Sequence, residues 1–355
     1  MRSIRLSFAL ALCSTVSAFT EPPLPPTPVY TVDLREYFAP QKATLFRSGA
    51  LAFLTDHTVA IDSCSSDECR LGVLDLAVSP PRLVAQTLGP PYETGLRRAP
   101  DGGLIIAGRV RHGLLGAIVY GPDLRVGQTV DGVFDVSPTG KTFYTFTGKN
   151  GWSIGRFADP EHPILTGKGM LLGFSDTAAI FRDQGLAHLE DMQGKLLTDL
   201  PEAGGPNSGT IAHFVGDDKI LLEQSHLAMV NLKGQVLYRR KRLDGWGVRI
   251  GQSDDGSRIL FDRFTRHIGL LRNIGEYAVA FATLGVGVED EVSNGEQVTV
   301  IDAPTGKPCF TWSSRSELLP EGDYHADIDP SGKLVAIMTS TTLFVYRLPE
   351  GCVAN

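Results

Sequence analysis

The side chains of this 355-residue chain that could do chemistry are scattered. Its eight histidines stand at 57, 112, 162, 188, 213, 226, 267 and 325, and no two share a metal-ligand spacing. There is no Gly-x-Ser-x-Gly elbow, no His-Glu-x-x-His, no phosphate-binding loop and no Gly-x-Gly-x-x-Gly after a strand. The run Asp327-Ile-Asp329-Pro-Ser331-Gly332 begins like a calcium loop, but Met338 occupies the twelfth position, where a bidentate carboxylate is needed. A tight turn explains the same residues: Asp and Ser cap it, Pro sets φ, and Gly takes positive φ. No metal and no cofactor is expected. What remains is a set of charged residues at comparable distances before turns: Arg97, Asp135, Arg249, His325 and Asp327. In Tyr324-His325-Ala326-Asp327, strand alternation puts His325 and Asp327 on one side. Converging, these groups would form a polar cluster for an anionic or peptide ligand, with His325 as its titratable member. Equally, they could be channel charges solvated by water and paired with neighbours.

The elements that must position them repeat. A short strand, a turn of Pro, Asp, Ser or Gly, and an apolar strand recur as FLTDHTVAID (53–62), APDGGLIIAG (99–108), SPTGKTFYTF (137–146), FSDTAAIFRD (174–183), FVGDDKILLE (214–223), SDDGSRILFD (253–262) and DPSGKLVAIM (329–338). Five of the six steps between units fit propeller blades, and the sixth is long. A third apolar strand follows each phrase, and a fourth usually follows that. Short strands of β-branched and aromatic residues joined by Gly and Asp turns make four-stranded antiparallel sheets. One such sheet cannot cover both its apolar faces, so neighbours stack radially and the edges stay short. The last unit lacks a fourth strand, and VYTVDL (29–34) is a strand without a unit. Pairing the two closes a ring.

The phrases APDGG, SPTGK and DPSGK resemble the Pro-Asp-Gly-Lys turn of WD40-like (PD40, TolB-type) β-propeller repeats, over residues 30–349. No Trp-Asp dipeptide occurs. The resemblance implies fold and not function, since such propellers include binding scaffolds and propellers in general include enzymes. The expected architecture is all-β: a seven-bladed β-propeller of four-stranded antiparallel blades, closed by an N-terminal strand. Six or eight blades stay open because of the long step. That step contains an insertion at 265–297, apolar in its middle and acidic at its end, which reads as a hairpin on its own blade, a lid, a partner contact or a degenerate eighth blade.

Residues 1–18 read as an export signal. Arg2 and Arg5 precede the apolar run LSFALAL, and Val16-Ser17-Ala18 supplies small residues for cleavage before Phe19. A Pro-rich lead-in (19–28), one propeller domain (29–349, with the insertion in blade 6) and a tail (350–355) follow. Four cysteines outlast the signal, and an even number in an exported chain reads as disulfides, Cys64 with Cys69 and Cys309 with Cys352. Removing the signal takes Lys+Arg from 33 to 31 against 40 Asp+Glu, a formal −9. That balance argues against nucleic acid, whose phosphates need clustered Lys and Arg. The one dense basic run, Arg239 to Arg242, reads as a solvated outer edge. Beyond the signal no apolar stretch suits a membrane span. The reading is an exported, periplasmic or extracellular (bacterial) propeller that binds a protein or peptide, a small-molecule ligand remaining open, and it leans away from an enzyme. The rival is a propeller hydrolase or lyase acting on a lactone, glycan or peptide at the channel mouth.

Overall fold

The structure, a computed structural model, describes residues 27–38, 46–65, 68–90, 94–111, 114–148, 151–183, 185–205, 209–241, 246–267, 293–313, 325–339 and 341–351. Within these the chain forms 28 strands, β1 to β28 in chain order, a short helix at Arg35–Phe38 and a single 3-10 turn at Pro201–Ala203. The strands make seven four-stranded sheets. Six are meanders of consecutive strands: β2–β5 (blade 1), β6–β9 (blade 2), β10–β13 (blade 3), β14–β17 (blade 4), β18–β21 (blade 5) and β22–β25 (blade 6), running from Phe46 to Ser313. The seventh joins β26 (His325–Ile328), β27 (Leu334–Met338) and β28 (Thr342–Arg347) to β1 (Tyr30–Asp33). Tyr30 pairs with Val345 and Asp33 with Thr342, antiparallel, so the N-terminal strand closes the ring as its orphaned sequence required.

The core is not central. It is seven separate wedges, one between each pair of neighbouring blades, because each sheet is apolar on both faces. Strand alternation divides each blade's residues between two wedges. In blade 5, Ile220 and Leu222 face blade 4, while Leu221 and Met229 face blade 6. The closing wedge holds Leu51, Phe53, Val59 and Ile61 of blade 1 against Ala336, Met338, Leu343 and Val345 of blade 7. Val32, Leu34 and Phe38 from the N-terminal segment complete it. Trp152 is buried between blades 3 and 4, and Trp312 packs between blades 6 and 7. Trp246 has its side chain outside the described residues.

Among the described residues the long step consists of two elongated paired strands within blade 6. Strands β23 (Arg258–His267) and β24 (Ser293–Asp302) stay paired from Arg258↔Asp302 to His267↔Ser293. Residues 268–292 of the insertion lie outside the described residues. Cys64 and Cys69 sit opposite each other on β3 (Thr58–Ser65) and β4 (Cys69–Asp75) and are disulfide-bonded. Cys309 is disulfide-bonded too, and its expected partner Cys352 lies outside the described residues. No helix among the described residues is long and apolar enough to cross a membrane.

The fold makes one strong claim about stability. Phe38 is 2% exposed and caps the closing wedge, its ring seated where a Cβ on Gly72 would come within 2.4 Å. Phe38→Ala is expected to lower unfolding free energy by about 3–5 kcal/mol, read as a shift in the denaturant midpoint at unchanged slope.

Candidate functional site

Every blade sends its first strand down the wall of the axial channel and turns at the same end, here the turn end. The other end, where first strands begin, is the open end. Aligning the seven turns on their first backbone-bonded residue (Leu54, Ala99, Ser137, Ser175, Val215, Ser253 and Asp329) aligns the residues two before it. These are Ala52, Arg97, Asp135, Gly173, His213, Gly251 and Asp327. All but Ala52 line a cavity of about 620 Å³ that touches all seven blades and reaches from the turn end as far as Ile211.

Two of these glycines are demanded by close approach. A Cβ on Gly173 would fall 2.1 Å from the carbonyl oxygen of Ala212 on the next blade, and one on Gly251 would fall 3.0 Å from Asp327 Oδ1. Small residues on blades 4 and 6 thus let the inner strands close up and leave room for their charged neighbours.

The sequence candidates fare differently. Arg97 lies on β6 (Thr94–Arg98), Asp135 on β10 (Val133–Val136) and Asp327 on β26, and all three line the cavity. His325 shares Asp327's side of β26 by alternation, both being half-buried between the buried Ala326 and Ile328, but it does not line this cavity. Arg249 is on β22 (Trp246–Gln252), opposite Asp262, with its side chain outside the described residues. His213, on β18 (Ile211–Val215), was missed and belongs to the wall.

Much of the polar chemistry joins blade to blade. Asp327 Oδ2 accepts the N–H of Phe53 at 2.8 Å, Asp262 Oδ2 that of Ala326 at 3.2 Å, and Gln252 Oε1 that of Gly216 at 3.1 Å. Inner strands are sheet edges, and these side chains satisfy donors that no fifth strand reaches. Two arginines span the channel. Arg97 Nη1 donates to the Ile250 carbonyl at 3.3 Å, and Arg98 is ion-paired with Asp254. Both link blade 2 to blade 6, across the side of the ring that contains blades 7 and 1. Asp329, the first carboxylate after the apparent calcium-loop start, is consumed by its own turn: it accepts the Leu334 N–H and the Ser331 hydroxyl, both at 2.5 Å, and Gly332 has φ 70°. Among the described residues no group of three His, Cys, Asp or Glu is placed to hold a metal ion.

Asp135 is the exception to this structural use. Its Oδ1 accepts only the adjacent Val136 N–H, at 2.8 Å. The side chain is open to channel space yet hemmed in by protein, and desolvation pushes its carboxyl up against the weaker pull of Arg97 and that N–H.

At the open end the chemistry is apolar. Phe134, Phe146, Met170 and Ile211 are 49, 57, 57 and 43% exposed, on blades 3, 4 and 5. A β-bulge between Val133 and Asp135 leaves Phe134 unpaired, with its ring 4.8 Å from that of Phe146 and 5.4 Å from that of Tyr144. Bulges of this kind re-aim a side chain.

Two residues of the basic run are fastened, while Lys241 is exposed and Arg242 lies outside the described residues. Arg239 Nε and Nη2 each donate to Glu202 at 2.7 Å, and Arg240 donates to the Thr305 carbonyl of blade 6. His226 Nε2 also meets Glu202, at 2.8 Å. Glu202 belongs to the linker between blades 4 and 5, so its carboxylate ties that linker to blade 5. Arg239 first, then His226, hold its carboxyl down at about 2, against a partial upward push from burial.

No protein-family model matches the chain, and no curated protein matches it. Solved structures do. A chain of the mitotic checkpoint complex superposes with a TM-score of 0.51 at 12% identity, covering 98% of this chain and 99% of that one. KlHsv2 with loop 6CD replaced by a Gly-Ser linker gives 0.50 at 10% identity, over 86% and 98%. The C-terminal WD40 domain of Sif2 gives 0.48 at 15% identity, over 87% and 84%. At these identities the likeness is one of fold.

Two predictions follow from the charges. A carboxyl raised by folding weakens the fold as pH climbs above 3.8, so Asp135→Asn is expected to raise the thermal midpoint at pH 7 by roughly 1–3 °C. Glu202 has the opposite sign. Its contribution is fully present above 4.5 and is lost as pH falls towards 2, so Arg239→Gln is expected to flatten that acid limb in a pH series of denaturation midpoints. The fold that the repeat phrases implied is the one found, a seven-bladed β-propeller of four-stranded antiparallel sheets.

Proposed function

We propose that the chain is an exported, non-enzymatic propeller scaffold that holds a protein or peptide partner at the open end of its channel. The observation that carries this reading is the rim of Phe134, Phe146, Met170 and Ile211 on three consecutive blades of a closed ring. Large apolar groups held half-exposed on a rigid frame favour a partner that covers them, and aromatic and methionine side chains are those enriched at such interfaces. The fold supports the class, since WD40-type propellers typically serve as interaction scaffolds, and the superposed chain of the mitotic checkpoint complex is part of a protein assembly. Export is supported by the charge and apolar pattern of residues 1–18 and by the Cys64–Cys69 bond, which persists in oxidising compartments.

The test uses the full chain with its own leader in a bacterial host. A photo-crosslinking residue is placed at Phe146 or Met170, and as a control at Leu237, which is equally exposed on the outer strand of blade 5. The expected result is a discrete protein adduct at the rim and none at Leu237, from a secreted chain whose mass begins at Phe19. Uncleaved cytoplasmic protein would sink export, and equal or absent labelling at the three positions would sink the rim.

A further inference from the structure

The cavity at the turn end contains two opposite charges that face it from adjacent blades without neutralising each other. Among the described residues Asp135 forms no ion pair, and its only hydrogen bond uses one carboxylate oxygen on its own neighbour's N–H. Arg97 forms no ion pair either, and its only hydrogen bond is the long one across the channel to Ile250. They are near enough for the guanidinium to favour the ionised carboxyl, yet not in contact. Two sheets fix their separation, so they cannot collapse onto each other as flexible surface charges would. Most other charges at this end are engaged: Asp327 by Phe53, Asp254 by Arg98, and Asp176 by the hydroxyls of Ser137 and Thr142, while Asp217 is exposed on its turn. Leu96, Leu172 and Ala212 also border the cavity, but their side chains are buried in the inter-blade wedges, so the cavity's selectivity falls to the charged pair.

A cavity of about 620 Å³ is of the size that encloses small ligands, which a few well-placed polar groups orient. Here the polar groups are one anion and one fork of donors, both with unused capacity, and a guanidinium matches a carboxylate in two parallel hydrogen bonds. A lone cation would meet Arg97 and a lone anion would meet Asp135, so neither suits the site. We propose that the channel cavity binds a small zwitterion, a free amino acid or short peptide, its ammonium group on Asp135 and its carboxylate on Arg97. This goes beyond the partner reading, because it assigns a small ligand to Asp135 and Arg97, neither of them a rim residue, although Ile211 of the rim borders the same cavity.

The probes are L-leucine, leucyl-leucine and trileucine, each also with its amine acetylated or its carboxylate amidated, titrated calorimetrically into the mature chain. At least one free form is expected to bind, and blocking either end is expected to weaken it about tenfold or more. In Asp135→Asn acetylation should no longer matter while amidation still does, and in Arg97→Gln the reverse. A merely structural role for either residue would not produce that exchange, and circular dichroism identifies a variant that fails to fold. If Arg97→Gln does not fold, Arg97→Lys takes its place, with weakened carboxylate selectivity expected. Absence of binding by all three free forms at about ten millimolar, some four orders above a micromolar site, overturns the proposal. So does binding indifferent to both blocking groups. Either failure leaves the rim crosslink, and the partner reading, untouched.

Discussion

Everything in this molecule depends on a geometric debt of the four-stranded sheet. A sheet that is apolar on both faces has no stable existence until each face is covered, and the only neighbours available are copies of itself. The debt is met when the last copy meets the first. Seven wedges of buried side chains replace the single core of an ordinary domain, and none of them lies on the axis. The axis is therefore left to groups that serve no wedge, which is why a channel exists and why it is polar.

That arrangement also explains the unequal fates of the inner-strand charges. Inner strands are edges, so their spare N–H groups need acceptors, and Asp262, Asp327 and Gln252 supply them from neighbouring blades. Carboxylates in these places are joinery. Asp135 breaks the pattern: its only hydrogen bond among the described residues is to the N–H of its own neighbour Val136, not to the next blade. A desolvated carboxyl maintained without such a use is the kind of local conflict that natural sequences tolerate where a ligand compensates for it.

The blades were legible because their defining signals are local. A turn phrase, an apolar strand and a step of constant length need no knowledge of distant contacts, and the orphan strand at 29–34 followed by elimination. Three of the five inner-strand candidates, Arg97, Asp135 and Asp327, reach the cavity for the same reason: counting back from a turn fixes which face a residue takes. His213 escaped because its turn, Gly-Asp-Asp, lacks the proline of the clearer copies, although the same count of two residues would have found it. Phe134 was not legible at all. Its bulge reverses the parity that alternation assumes, and a bulge has no signature in four residues of sequence. Nor could Arg98 and Asp254 be linked in advance, being 156 residues apart and on blades that are not neighbours.

The closing blade has a bearing on how the ring can be held. Strand β1 begins beside Val345, and β28 ends two residues later at Arg347, so the described chain enters and leaves the ring side by side at the outer edge of one blade. Both points lie at the turn end, because outer strands run opposite to the third strands they pair with. A support attached through either point would grip the molecule by its charged end and turn the Phe134–Phe146 end outward. In a surface-immobilised assay, orientation would thus be set by the topology of the ring rather than by the choice of tag.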